Sequence, residues 1–327
     1  MLNVILSSNN TYVRNNINNM DIEVTLLDDI HKEAVRLAEG AGKILADQFG
    51  KKISVQFKDT LQRDPVTSAD LSTQEYLESE INKIFPTHGI LGEETKDENS
   101  ENLNEHAADI LWVLDPLDGT TNFMNGIPIY ASSIGVLYKG IPVAGAIYVP
   151  WPGKADGLII HSQKDAGCYA NTDRVSVTSN DKPIGNRLIG LPGSFSQFNK
   201  FRSSFKGPIG EPRVTGSIAY ELAMTAIGVF QYAIFGAPRM WDMLGGTIAV
   251  QEAGGMVMTK SKRSNQWDAI NTLIPEWDNN TPTLKELRNW VAPIVAGNQS
   301  LASLISENIT TQPTTSKLLS LPKKLKS

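Results

Sequence analysis

The sequence contains little cysteine, no clustered histidine and no long apolar run. Its single cysteine, Cys168, cannot form an intrachain disulfide bond, which fits a reducing compartment. The four histidines are scattered, so no Cys/His spacing of the kind that binds zinc is present. No run of about 18 apolar residues is present either, which argues against a membrane-spanning segment.

Basic residues are not in excess. Lys and Arg number 30 against 35 Asp and Glu, which gives a formal net charge of −5. Nucleic-acid-binding proteins normally show a basic excess. The first ten residues, MLNVILSSNN, also lack the basic segment of a secretory signal. We therefore expect a cytoplasmic protein that acts on a small molecule and neither binds nucleic acid nor enters a membrane.

The residue pattern divides the chain into an extension, two halves and a tail. Residues 1–29 are Asn-rich and weakly patterned, which is typical of an extension. From Ile30 apolar residues recur at helical spacing, and the pattern then turns to strands. A polar, turn-rich stretch predicts an N-terminal α+β half over residues 30–180 and a C-terminal half over 181–302. The Ser/Thr/Lys-rich remainder, 303–327, is predicted to be loose.

Within the two halves, periodicity and turn residues predict the main elements. We expect a strand that ends at Asp115, a hairpin at Lys139-Gly140 and helices over residues 70–85, 218–230 and 241–253.

One short stretch, WVLDPLDGTTNF, contains two closely spaced carboxylates, Asp115 and Asp118. The proline after the first fixes the backbone, so both carboxylates and the Leu117 carbonyl can face one side. Oxygen atoms at this density suit a hard cation such as Mg²⁺. The amides of Gly119 and Thr120 open the next turn and can hold an anion. The alternative is an ordinary strand-to-helix turn with an Asp cap.

Three other acidic motifs have both a structural and a functional interpretation. In ILGEET, Glu93 and Glu94 form either a solvated turn or a pair of ligands. In DPVTSAD, Asp70 either caps a helix that begins at Leu71 or acts as a base partner for a hydroxyl. In RMWDMLGG, Asp242 is either a helix N-terminal acid or a ligand.

These four motifs, in this order, resemble those of the inositol monophosphatase family of Mg²⁺-dependent, lithium-sensitive phosphatases. The resemblance covers most of residues 30–296 and includes DPVTSAD, GEE, DPLDGTTNF with NGIP after it, and WD followed by EAGG. It implies an α/β (α+β) fold, a layered α-β-α-β-α sandwich of the inositol monophosphatase and fructose-1,6-bisphosphatase type. It further implies a homodimer that hydrolyses a small phosphorylated metabolite with Mg²⁺.

The resemblance also implies a role for each motif residue. Two or three Mg²⁺ ions would be held by Glu93, Asp115, the Leu117 carbonyl, Asp118 and Asp242, with Glu94 behind them or as a weaker ligand. Asp70 and Thr120, with Glu93, would orient and deprotonate the attacking water. The amides of Gly119 and Thr120 would hold the phosphate, and Gly216 and Ser217 would line the leaving-group pocket.

Two positions depart from the family pattern. Phe235 stands where inositol-specific members carry an acidic residue that contacts a substrate hydroxyl, and Arg239 stands where members often have His. Phe235 cannot accept a hydrogen bond, so inositol 1-phosphate is not expected to be the best substrate. Arg239 could contact a second anionic group on the substrate.

The sequence leaves several alternatives for the substrate. These are an inositol or sugar phosphate, histidinol phosphate, fructose 1,6-bisphosphate and a 3′-phosphonucleotide. A non-catalytic binding or regulatory member of the same fold is the alternative of another class.

Overall fold

A computed structural model describes residues 20–58, 60–61, 65–95, 105–261, 266–274, 277 and 280–311. These residues form five alternating layers of helices and sheets, so the predicted layered α-β-α-β-α sandwich is confirmed. None of the described helices is long and apolar enough to cross a membrane.

The first layer contains helices α1 (Val24–Gln48) and α2 (Ser68–Ile84). Helix α1 begins six residues before the predicted start at Ile30, so the last part of the predicted 1–29 extension is helical. The reason is that Leu27 lies in phase with Ile30 and is fully buried against the first sheet. The remainder of that extension, residues 1–19, lies outside the described residues.

The second layer is a seven-stranded sheet whose spatial order follows the sequence. Its strands are β3 (Gly89–Gly92), β4 (Ile110–Asp118), β5 (Ala131–Tyr138), β6 (Ile141–Trp151), β7 (Lys154–Gln163), β8 (Gly167–Ala170) and β9 (Asp173–Val175). The pair β3–β4 is parallel and all other neighbours are antiparallel. A separate antiparallel pair precedes the sheet, β1 (Val55–Phe57) with β2 (Pro65–Thr67).

The hairpin predicted between β5 and β6 is present. Lys139 and Gly140 form its two-residue turn, and both have positive φ angles, 47° and 78°. Such a turn matches the right-handed twist of the two strands that it connects.

The middle layer contains helices α5 (Ile218–Ala226) and α6 (Met240–Glu252). The predicted helix over residues 218–230 is too long. It ends at Ala226 because Gly228 adopts a positive φ of 73°, and Phe230 already belongs to the next strand.

The fourth layer is a six-stranded sheet, and the fifth is a helix on its outer face. In spatial order the strands are β12 (Glu211–Arg213), β10 (Leu188–Gly190), β13 (Phe230–Phe235), β16 (Ile294–Asn298), β14 (Gly255–Lys260) and β15 (Trp267–Ala269). The outer helix is α8 (Gln299–Asn308), and the short helices are α3 (Thr120–Met124), α4 (Phe195–Phe198) and α7 (Leu284–Arg288). A small ladder pairs β11 (Asn199–Phe201) with β17 (Ile309–Thr311).

The predicted loose tail over 303–327 is ordered in its first part, because α8 and β17 extend through Thr311. Leu301 and Ile305 of α8 are fully buried against the outer face of the second sheet, which holds the helix in place. The rest of that tail, residues 312–327, lies outside the described residues.

The predicted halves share a hydrophobic core. Strand β9 ends at Val175 and β10 begins at Leu188, so the predicted division near residue 180 falls between the two sheets. Helices α5 and α6 nevertheless pack against both sheets, and one buried cluster includes Val113 from the first and Ala296 from the second. The two sheets are therefore fixed relative to each other through the helices between them.

Helix α6 approaches the first sheet closely at Gly245. A Cβ atom on Gly245 would lie 2.7 Å from the Ser133 hydroxyl and 2.8 Å from the Ile134 carbonyl oxygen. Ser133 pairs with Asp115 across β4 and β5, and Asp242 lies one helical turn before Gly245. The missing side chain of Gly245 thus lets α6 bring Asp242 towards Asp115.

We expect Gly245→Ala to lower the free energy of unfolding by about 1–3 kcal/mol, because the added methyl group overpacks a rigid backbone contact. Thermal or denaturant unfolding measures this loss. The matched control is Gly236→Ala, where an added Cβ has no atom within 4 Å. Equal stability of the two variants would contradict the close-approach interpretation.

Candidate active site

Asp115 and Asp118 lie at the end of β4, which extends three residues beyond the predicted end at Asp115. Asp115 pairs with Ser133 and Asp118 with Ala131, and the register shifts between the two pairs. The sequence could not show this because a bulge is defined by the partner strand. Within the bulge the Leu117 amide donates to Asp115 Oδ1 at 3.1 Å, which fixes the direction of that carboxylate.

Asp118 connects β4 to the start of α5. Its Oδ2 accepts hydrogen bonds from the Ala219 amide at 2.5 Å and the Ser217 hydroxyl at 3.0 Å. Asn122 makes a parallel connection, because its Nδ2 donates to the Thr215 carbonyl at 2.7 Å. Residues that are about 100 positions apart are thereby held together at one edge of the first sheet.

Asp242 is the third residue of α6. Its Oδ2 accepts the Arg239 amide at 2.7 Å, which satisfies a backbone donor at the helix start. The acid is therefore part of the helix cap, as the structural interpretation expected. It also lines a cleft together with Asp118, so the same side chain faces the other acids.

Glu93 and Glu94 follow β3, whose last residue pairs with Leu114 of β4. The Glu93 amide continues this pairing with a bond of 3.0 Å to the Leu114 carbonyl. Lys58 Nζ lies 3.3 Å from Glu93 Oε1 and 2.6 Å from Glu94 Oε1. The two acids therefore form a fixed, cation-paired turn beside Asp115 and not merely a solvated loop.

Arg288 holds this turn from the C-terminal half. Its guanidinium donates to the carbonyl oxygens of Gly92 and Glu93 at 2.8 Å each, and it stacks 5.1 Å from the Trp241 ring centre. No sequence pattern predicts this role, because Arg288 is 195 residues away from Glu93 along the chain.

Asp70 is not the cap of a helix that begins at Leu71. Helix α2 begins at Ser68, Thr67 is its N-cap, and Asp70 is the third helical residue of a capping box. Asp70 Oδ2 accepts the Thr67 amide at 2.8 Å, which orients the carboxylate. Its other oxygen, Oδ1, lies 2.9 Å from Thr120 Oγ1, so the predicted pairing of Asp70 with Thr120 has hydrogen-bonding geometry.

Thr120 Oγ1 has two acceptors within reach, Asp70 Oδ1 and the Leu117 carbonyl oxygen at 3.0 Å. A hydroxyl carries one hydrogen, so it donates to one of them at a time. The remaining lone pairs of Oγ1 can accept a hydrogen from another group.

The carboxylates at this edge repel one another. Burial raises the pKa of Asp115 well above its usual range, and repulsion from Glu93 and Asp118 raises it further. Burial also raises the pKa of Asp118, with repulsion from Asp242 as the next cause. Burial raises the pKa of Asp242 to about 7. A cation among these groups would relieve the repulsion.

In the conformation observed, no three His, Cys, Asp or Glu side chains of the described ranges form a group ready to hold a metal ion. The carboxylates instead face donors of the chain, as Asp118 faces the Ala219 amide and Asp242 the Arg239 amide. Each of these contacts uses one of two carboxylate oxygens. The side-chain and carbonyl atoms that could bind a metal here are all oxygens, which fits a hard cation. The carboxylates would have to rotate away from these hydrogen bonds to surround one ion.

A cleft of about 670 Å³ opens beside these acids. Asp118 and Asp242 line one part of it, and Glu221 contributes a third carboxylate. Most other lining side chains are apolar, among them Leu191, Phe198, Val214, Ile218, Phe235 and Pro293. Of the described residues that line the cleft, none is Lys, Arg or His.

The structure brings three of the four predicted pocket residues to this cleft. Gly216, Ser217 and Phe235 line it. Arg239 does not, since its exposed side chain donates to the Arg288 carbonyl at 3.4 Å. Cys168 is fully buried in the first sheet, away from the cleft.

A model of the inositol monophosphatase family matches residues 26–292 of the chain. The chain belongs to this family. Its members are phosphatases that act on small phosphorylated substrates and are generally metal-dependent, so this chain is a phosphatase of the inositol monophosphatase type.

Individual proteins are similar to this chain over about two thirds or more of its length. A protein of Aquifex aeolicus, described as fructose-1,6-bisphosphatase/inositol-1-monophosphatase, is 31% identical over 67% of this chain and 81% of its own length. The Nus factor SuhB of Pseudomonas aeruginosa is 33% identical over 68% of this chain and 83% of its own. An IMPase structure from Thermotoga maritima shares the fold, with a TM-score of 0.63, 23% identity and coverage of 85% of this chain and 96% of its own.

Proposed function

We propose that the chain hydrolyses a small phosphate monoester with two or three Mg²⁺ ions bound among Glu93, Asp115, the Leu117 carbonyl, Asp118 and Asp242. The observation that carries this proposal is that acids from the turn after β3, from β4 and from α6 meet at one edge of the first sheet beside a cleft. Proteins retain such mutually repelling buried acids where they bind a cation. Glu94, paired with Lys58, supports the Glu93 side of the site.

Bound Mg²⁺ supplies positive charge to the phosphoryl oxygens and lowers the pKa of a water molecule. The chain's own residues position that water. Thr120 Oγ1 accepts a hydrogen bond from it and donates its own hydrogen to Asp70 Oδ1. As the water attacks, one of its protons passes to Thr120 Oγ1 while the hydroxyl proton of Thr120 passes to Asp70 Oδ1. The water oxygen forms the new bond to phosphorus, the ester bond breaks, and the leaving alcohol takes a proton from solvent. The amides of Gly119 and Thr120 face the phosphate.

The proposal extends to lithium inhibition and to a homodimer, both by analogy with the family. A non-catalytic member of the fold is less well supported, because every acid of the site is present and held by specific contacts. We retain that alternative because one relative is described as a Nus factor.

The leaving group is proposed to be other than inositol. Phe235 ends β13, is almost fully buried and lines the cleft where an acceptor would be needed for a polyol hydroxyl. A substrate hydroxyl that lacks a hydrogen-bond partner lowers the stabilisation of the transition state by about 0.5–1.5 kcal/mol, which reduces kcat/KM by up to about tenfold.

We expect kcat/KM for inositol 1-phosphate to be about 2- to 10-fold below that of the best substrate. The test is phosphate release from inositol 1-phosphate, histidinol phosphate, fructose 1,6-bisphosphate and a 3′-phosphonucleotide, with Mg²⁺, with EDTA, and with Mg²⁺ plus lithium. Turnover that requires Mg²⁺ supports the phosphatase proposal. A clear preference for inositol 1-phosphate would contradict the role of Phe235, and no turnover of any ester would favour the binding protein.

A further inference from the structure

The cleft combines acidic groups with an apolar wall, and this combination indicates a particular kind of leaving group. Phe198 and Val214 are 56% and 65% exposed, and with Phe235 they form apolar surface near Asp118 and Asp242. Once metal ions compensate the acids at the catalytic end, Glu221 remains as a further carboxylate of the cleft. None of the described lining residues is Lys, Arg or His.

Glu221 lies on α5 and is 5% exposed. Its Oε1 accepts two hydrogen bonds from Thr215, from the amide at 3.0 Å and from the hydroxyl at 2.7 Å. Its Oε2 accepts no hydrogen bond from any described residue, and it is not among the unpaired atoms that are closed to solvent. A buried carboxylate therefore keeps one open acceptor where a ligand can reach it.

A purely structural role accounts for only one of the two carboxylate oxygens of Glu221. Oε1 alone holds Thr215, and through it the turn that ends at Ser217, whose hydroxyl contacts Asp118. Oε2 takes no part in that turn. It lies beside Gly190, where an added Cβ would be 2.5 Å away, and it is not closed to solvent, so it can exchange water for a donor of the substrate.

We propose that the leaving group is an alcohol that carries a protonated amine and an aromatic or similarly flat apolar group. This inference rests on the phosphatase function proposed above. The ammonium group donates to Glu221 Oε2, and the ring packs on Phe235 and Val214. A charge-assisted hydrogen bond is stronger than a neutral one, and the apolar wall favours a ring over a polyol.

The same features disfavour a substrate with a second phosphate. Such a group would approach the Glu221 carboxylate, and no Lys, Arg or His of the described lining is there to receive it. Arg239 is turned towards the Arg288 carbonyl, outside the cleft. Among the alternatives named above, histidinol phosphate has both an amine and a ring, whereas fructose 1,6-bisphosphate has neither.

Three synthetic phosphate esters distinguish the contribution of the amine from that of the ring. Phenylalaninol phosphate carries the amine and the ring, 3-phenylpropyl phosphate carries only the ring, and alaninol phosphate carries only the amine. With saturating Mg²⁺, we expect kcat/KM for the first to exceed that for the second by about 10- to 100-fold, the range of a hydrogen bond between charged groups. We expect it to exceed that for the third by about 3- to 10-fold.

Glu221→Gln is the decisive variant, because it keeps an oxygen to accept from Thr215 and replaces the open oxygen with an NH₂ group. The ratio of kcat/KM between the esters with and without the amine is expected to fall towards one, while the ratio between the esters with and without the ring remains. Phe235→Leu is expected to do the reverse. The matched control is Glu252→Gln, which changes a partly buried carboxylate that accepts the Asp165 and Gly167 amides outside the cleft, and it should leave both preferences unchanged.

The outcomes separate this inference from the function on which it rests. If all three esters are hydrolysed with Mg²⁺ and the amine gives no advantage, or if Glu221→Gln slows all three equally, the inference is wrong and the phosphatase function stands. If none of the esters, nor any of the panel above, releases phosphate with Mg²⁺, both fail.

Discussion

Asp115→Asn is expected to reduce the rate of phosphate release by about a thousandfold or more, because it removes a carboxylate that is proposed to bind the metal ions. The fold should survive. Asp115 is fully buried among like charges, so the amide removes repulsion and keeps an oxygen to accept the Leu117 amide. In EDTA the melting temperature should therefore rise, by about 1.5 °C for each kcal/mol of repulsion relieved in a chain of 327 residues.

The metal response provides the control. Mg²⁺ should raise the melting temperature of the wild type, since a ligand that binds only the folded state stabilises it, and this increase should shrink in Asp115→Asn. Asp173→Asn, an exposed change on the edge strand β9, should behave as the wild type does in all three measurements. A fall of several degrees in EDTA, in parallel with lost activity, would mean that Asp115 serves the fold and not the metal.

Thr120→Val is expected to reduce kcat by about 10²- to 10⁴-fold, the usual contribution of a positioned proton acceptor. The substitution keeps the shape of the side chain and removes the hydroxyl that contacts Asp70 Oδ1. Because Thr120 supplies no carboxylate, the stabilisation by Mg²⁺ should be retained. The measurements are steady-state kinetics and thermal unfolding on the same preparation.

Thr67→Val is the matched control for this prediction. It removes the N-cap of α2, whose hydroxyl faces the other oxygen of Asp70, and leaves the contact between Asp70 and Thr120. It should cost about 1 kcal/mol of stability and far less activity than Thr120→Val. If kcat of Thr120→Val stayed within about threefold of the wild type, Thr120 would have no part in orienting the water.

The parts of the site that the sequence predicted are those carried by short, local motifs. Asp115 and Asp118 are three residues apart, so backbone geometry alone places their side chains near one another. The layered fold was implied by the family resemblance that the four ordered motifs carry, and the family comparison confirms it.

The parts that were missed depend on contacts between distant residues. Arg288 contacts the Glu93 carbonyl across 195 positions, and nothing near either residue indicates it. The extension of β4 to Asp118 depends on its pairing with β5, and the open oxygen of Glu221 depends on what surrounds α5. Propensity and periodicity report local preferences, whereas these features arise from packing.

The most direct test of the central claim is anomalous diffraction from crystals of the full chain loaded with Mn²⁺, an oxygen-preferring ion that can replace Mg²⁺. We expect two or three anomalous peaks at ligand distance from the acids of the site, at least one of them beside Asp115, with Asp118, Asp242 and Glu93 rotated from their present hydrogen bonds to face them. Peaks elsewhere, or none beside Asp115 at saturating Mn²⁺, would contradict the assignment of these acids as the metal site.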